Sequence, residues 1–77
     1  MRVLIKSVSL FTEFLNGQIW VELPEGSKVK DLLVKILPNG EYRGVKPVVI
    51  VNKEVVEEDY VLKDGDEVYL TPPFAGG

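Results

Sequence analysis

Cysteine and histidine are both absent from the 77 residues of this chain. Without cysteine there is no disulfide framework, no thiol nucleophile and no zinc–thiolate site. Without histidine there is no imidazole base, and the Ser–His and Cys–His nucleophile pairs are excluded. An autonomous enzyme would have to rely on paired carboxylates or a lysine. It would do so in a body scarcely large enough to enclose a pocket, since a domain of this size buries only about 60–65% of the surface its unfolded chain exposes. Also missing is any run of about 20 apolar residues to span a bilayer. Lys6 interrupts the opening stretch after Val3-Leu4-Ile5, too soon for the roughly 7–15-residue apolar region of a signal peptide. The chain is therefore expected to stay in the cytoplasm, with no membrane partner. A formal charge of -3 argues against nucleic acid, which selects basic faces through phosphate contacts and counterion release.

With 45% apolar and 27% charged residues, the composition is that of an ordinary globular domain rather than a disordered chain. Two stretches stand out. Glu54, Glu57, Glu58, Asp59, Asp64, Asp66 and Glu67 crowd one short segment that holds a single basic residue, Lys63, past Glu54. That segment is either a solvated surface or a face that steers the molecule towards a basic partner. The second is Pro72-Pro73-Phe74-Ala75-Gly76-Gly77, reached after Glu67 with no further charge. Two prolines stiffen it, one aromatic can seat in a pocket, and Gly76 and Gly77 can follow a channel too narrow for any residue with a Cβ. Fully extended, the six residues reach at most about 20 Å, enough to carry a terminal carboxylate into a partner's active site.

Taken in order, residues 2–8 alternate as a strand, with Val3 and Ile5 on one side and Arg2, Leu4 and Lys6 on the other. Residues 9–17 read as a helical turn or irregular crossing that ends on Asn16-Gly17. Residues 18–23 form a half-buried strand with Ile19, Val21 and Leu23 inward. Pro24 and Gly26 turn the chain, and Ser27 is a helix N-cap candidate without a completing capping box, since Lys30 stands where Glu or Gln would serve. Val29, Leu32, Leu33, Ile36 and Leu37 then fall at i, i+3, i+4, i+7 and i+8, the apolar stripe of a helix that Pro38 ends. In the loop that follows, Tyr42 and Arg43 are an interface pair or a tyrosine packed under the loop.

The run Val48-Val49-Ile50-Val51 predicts a strand covered on both faces. Asn52-Lys53 makes a tight turn, and residues 54–56 a short charged edge strand. Residues 57–63 are expected to form one helical turn anchored by Tyr60 and Leu62. Asp64-Gly65 turns the chain into a last strand, residues 67–71, with Val68 and Leu70 inward. Strand, strand, helix, strand, short strand, turn, strand is the α+β order of the β-grasp: a mixed sheet of four to five strands covered by one main helix. Residues 1–71 would form that domain, with the last strand central beside the first, and residues 72–77 a flexible tail.

Several segments together resemble the ubiquitin-like sulfur carriers of the MoaD/ThiS superfamily, most closely the MoaD-like small subunits of molybdopterin synthase. They are Leu23-Pro24-Glu25-Gly26-Ser27, Val29 with Asp31-Leu32-Leu33, Val51-Asn52, Leu62-Lys63-Asp64-Gly65-Asp66-Glu67-Val68, and the tail from Pro72 to Gly77. The resemblance implies that the Gly77 carboxylate is adenylated by a MoeB-like, ubiquitin-activating-type enzyme and converted to a thiocarboxylate. It also implies sulfur donation, with a MoaE-like large subunit, to the pyranopterin of the molybdenum or tungsten cofactor. On that pattern Pro72, Pro73, Phe74, Ala75 and Gly76 contact partners. The chain would be non-catalytic alone and bind no metal or cofactor, ATP being used by the activating partner. Sulfur carriers for thiazole synthesis or tRNA thiolation share this chemistry, and a protein modifier conjugated through Gly77 would share its first step. A β-grasp binding module whose Gly-Gly end is incidental is the remaining alternative.

Overall fold

The computed structural model describes residues 1–7, 18–41, 44–71 and 73. Along the chain these form β1 (Arg2–Ser7), β2 (Gln18–Glu22), α1 (Val29–Ile36), a 3-10 turn (Pro38–Gly40), β3 (Val48–Val51), β4 (Glu54–Val56) and β5 (Glu67–Thr71). The strands make one five-stranded sheet in the order β2-β1-β5-β3-β4. β1 runs antiparallel to β2 and parallel to β5, and β3 runs antiparallel to β4 and β5. This is the expected mixed β-grasp sheet, with the last strand at its centre beside the first. The crossing expected at residues 9–17 and the Tyr42–Arg43 pair lie outside the described residues, as does Val8, so β1 is described only to Ser7.

Period-two alternation places Val3, Ile5, Val21, Val49, Val51, Val68 and Leu70 on one face of the sheet, all buried. Val29, Leu32 and Leu33 of α1 meet them, and Leu23, Leu37 and Leu62 close the margins of the same cluster. The helical stripe thus reads correctly, with Ile36 half-buried at its rim. Each such side chain contributes about 1.5–3 kcal/mol on transfer from water, a large fraction of a net stability that is only about 5–15 kcal/mol in small domains. Val48 and Ile50 are only half-buried. The expectation that β3 is covered on both faces is therefore wrong: among the described residues the second face of the sheet carries no layer. Ile19, expected inward, is 38% exposed.

The start of α1 differs from expectation for a reason that lies far away in sequence. The Ser27 hydroxyl donates to the Pro24 carbonyl at 2.7 Å and closes the turn rather than capping the helix. The chain enters the helix through Lys28, whose N–H donates to Asp31 Oδ2 at 2.8 Å, the carboxylate half of a capping box. The Val29 and Lys30 N–H groups, unpaired within any helix start, donate to the carbonyls of Tyr60 and Glu58, each at 2.9 Å. Residues 57–63 therefore do not form the expected helical turn. Their backbone is recruited along residues 27–30, with Leu62 N–H donating to Ser27 at 2.8 Å and Val61 bridging Lys28. Leu62 is buried and Tyr60 packs half-buried against the core, so both anchors stand.

Candidate functional site

The site begins where β5 ends. Leu70 lies beside Ser7 of β1, and Thr71 lies beside Val48 of β3. Backbone ladders on both sides thus hold the chain up to its departure from the middle of the sheet. Val68 and Leu70 are fully buried, so the same strand is also fixed through the core. Of the six residues to which the sequence assigns function, Pro73 is exposed. Pro72, Phe74, Ala75, Gly76 and Gly77 lie outside the described residues. What the structure defines is the root of the tail and the surfaces around it.

On the open face of the sheet near that root, Lys6 Nζ donates to the Tyr69 hydroxyl and to Glu67 Oε1, both at 3.4 Å. Its ammonium also stands 5.4 Å from the Tyr69 ring centroid. The Tyr69 hydroxyl, and after it Glu67, hold the Lys6 pKa above its ordinary value against a smaller opposing effect of desolvation. In so exposed a setting the cluster orients side chains more than it stabilises the fold. Sequence reasoning missed it because the partners meet only through the parallel register that sets Lys6 beside Tyr69. The one available signal was that both residues alternate away from the core.

The same face carries Trp20, 52% exposed, with the Arg2 guanidinium 4.7 Å from its ring centroid. Leu4 lies between Trp20 and Glu67, and Ile50 lies between Tyr69 and Val55. A shallow hollow of about 520 Å3 opens among Ile50, Asn52, Lys53, Gly65, Glu67 and Tyr69. Among the described residues no group of three Asp, Glu, His or Cys is placed to hold a metal. Nor is any described helix long and apolar enough to cross a membrane.

The acidic stretch divides. Asp66 is buried and accepts hydrogen bonds from Asn52 Nδ2 and the Lys63 N–H, both at 2.9 Å. Asp64 Oδ1 accepts from the Arg2 N–H at 2.8 Å, and Glu67 meets Lys6. These acids fasten the turn that leads into β5. Glu54, Glu57, Glu58 and Asp59 are exposed at the far edge of the sheet.

With this geometry the comparisons with known proteins agree. The ThiS family profile matches residues 9–77. A Pyrococcus furiosus chain assigned to subunit 1 of molybdopterin converting factor superposes with a TM-score of 0.81 at 28% identity, covering 96% of this chain and 99% of its own. Small archaeal modifier protein 1 from H. volcanii superposes with a TM-score of 0.76 at 20% identity, covering 95% and 98%. A chain from the complex of subunits 1 and 2 of the Helicobacter pylori molybdopterin-converting factor gives 0.68 at 22%, covering both chains fully. At the two lower identities the likeness is one of fold, the ubiquitin-like β-grasp.

Proposed function

This chain belongs to the ThiS family, and on that premise we propose that it is a sulfur carrier acting through the carboxylate of Gly77. The body, residues 1–71, presents residues 72–77 to its partners. The observation that carries the reading is the continuity of the family match through Gly77 from a strand clamped on both sides at the centre of the sheet. A carboxylate is a poor electrophile, so the Gly77 oxygen first attacks the α-phosphate of ATP in an activating, MoeB-like partner and releases pyrophosphate. A persulfide sulfur then displaces AMP from the acyl-adenylate. Cleavage of the resulting S–S bond by a donor thiol leaves the thiocarboxylate. This chain supplies the nucleophilic oxygen, the narrow Gly-Gly lead and the docking surface; ATP and the catalytic pocket belong to the partner, and the setting is cytoplasmic.

For the acceptor we take the pterin precursor of the molybdenum or tungsten cofactor, held by a MoaE-like large subunit. The assignment of the Pyrococcus furiosus relative to subunit 1 of molybdopterin converting factor supports this choice, and so does the paired-subunit complex of the Helicobacter pylori protein. Carriage of sulfur to thiazole or tRNA would differ only in the acceptor. Conjugation to lysines is the second reading, favoured by the likeness to an archaeal modifier protein. Branched Gly-Gly remnants on cellular lysines would support it. Gly76→Val, or one residue added after Gly77, is expected to abolish ATP–pyrophosphate exchange by the activating enzyme while leaving the thermal melt unchanged, because a Cβ or a longer end no longer threads. Undiminished exchange in both variants would contradict the reading.

A further inference from the structure

The outer edge of β4 has no strand partner among the described residues, and sulfur carriage gives it no task. The turn before it, Asn52-Lys53, holds φ 49° and 76°, the positive pair of a tight two-residue hairpin. Val51 and Glu54 therefore close that turn as a hydrogen-bonded pair. Bonding alternates along an antiparallel ladder, so Glu54 and Val56 direct their backbone groups to β3 and those of Val55 turn outward. By the same alternation the Lys53 C=O and the Glu57 N–H also face outward. The Val55 side chain lies on the open face of the sheet beside Ile50. At 70% it is more exposed than any other large apolar residue among those described. On the opposite face a groove of about 590 Å3 separates α1 from the β3–β4 edge, which leaves room beside β4. Neither Lys53 nor Glu57 has an ion-pair partner within 4 Å among the described residues.

We propose that this edge pairs with the β4 edge of a second copy of the chain, antiparallel about a two-fold axis through Val55. The outward groups are self-complementary. Val55 exchanges two hydrogen bonds with Val55 of the second copy, and each Glu57 N–H donates to the Lys53 C=O opposite. Residues directly opposite share a face of the sheet, so the axis passes through a residue rather than between two. An axis through Glu54 would set that carboxylate against its own copy, and one through Val56 would set Glu54 against Glu58; like charges directly opposite are destabilising. Centred on Val55, the pairing sets Lys53 opposite Glu57 twice and Glu54 opposite Val56. It also carries the open-face row Tyr69–Ile50–Val55 across the axis into the same row of the second copy. Three residues a side bury far less than the roughly 1,200–2,000 Å2 of a stable interface, so the association is weak, with a dissociation constant of about 1 mM. β3 and β4 stand between the axis and β5. The tail root thus stays clear in both copies, and the inference does not rest on the carrier reading.

The test is dilution of the 15N-labelled full chain from about 2 mM to about 0.05 mM, a span that brackets the expected constant, followed by amide NMR. The Val55 and Glu57 amides are expected to shift with concentration along a monomer–dimer curve, while those of Val3 and Val21 hold still. Val55→Lys, at an exposed position, is expected to remove the dependence and leave the thermal melt unchanged. Lys53→Glu sets an acid against Glu57 of the second copy at both ends of the pairing and should weaken association about tenfold. Adding Glu57→Lys to it restores opposite charges in the same register and should recover the wild-type constant. Amides that stay constant across the dilution, shifts centred on Trp20 and Leu4, or a double variant no tighter than Lys53→Glu alone would overturn the proposal. The dilution involves neither ATP nor Gly77, so its failure is distinguishable from failure of the carrier chemistry.

Discussion

Asp64 and Asp66 at one end of the acidic run, and Glu57 and Asp59 at the other, are the same kind of residue put to opposite use. Around Asp64-Gly65 the carboxylates take up backbone N–H groups, Asp64 that of Arg2 at the start of β1 and Asp66 that of Lys63 in the turn itself. Asn52, held at φ 49° in the neighbouring turn, donates its amide to Asp66 and joins that turn to β5. At the other end the backbone carbonyls of Glu58 and Tyr60 are committed to the start of α1. The side chains of Glu57 and Asp59 are left outward. Both places are rich in acid; the difference lies in which backbone groups need a partner. Carboxylates that accept backbone N–H groups, Asp66 buried and Asp64 exposed, are structural, whereas Glu57 and Asp59 stay solvated.

The largest effect should come from the structural end. Asp66→Ala removes two charge-assisted bonds and leaves donors from Asn52 and Lys63 unmet, an expected loss of about 3 kcal/mol in urea unfolding. A loss no greater than that of Asp59→Ala would erase the distinction. Next, Lys53 holds φ 76° after Asn52, a left-handed conformation that glycine adopts freely. Lys53→Gly is expected to stabilise the turn that aims Asn52 at Asp66 by about 0.5–1 kcal/mol, read as a raised melting temperature. A lowered one would show that the lysine side chain contributes a contact of its own. Smallest of all, Glu57→Lys with Asp59→Lys should change stability by no more than about 0.5 kcal/mol, and a cooperative loss of fold would make these two acids structural too.

Much of the fold was legible because it is written in short-range periodicity. Val29, Leu32, Leu33 and Leu37 mark the helix and are buried, and Val3, Ile5, Val68 and Leu70 mark strand faces. The element order alone put β5 beside β1. The rest depends on partners distant in the chain. Ser27 looked like a cap because nothing local shows that Glu58 and Tyr60 carbonyls reach the helix start. Residues 57–63 looked helical because Tyr60 and Leu62 are spaced as inward anchors, a pattern that an irregular segment lying over the helix start satisfies equally. Lys6 and Tyr69, 63 residues apart, meet only across the parallel ladder. Of the proposed site, the tail was evident as sequence and its root as architecture, whereas which backbone groups of β4 face outward depends on its register against β3.

Incubating the full chain with ATP, a cognate activating enzyme and a persulfide donor, and then measuring intact mass, tests the carrier chemistry most directly. Exchange of one oxygen for sulfur, located at Gly77 by fragmentation and absent from Gly76→Val, is the predicted result. A mass that stays unchanged with an activating enzyme shown to be competent on another carrier would contradict it.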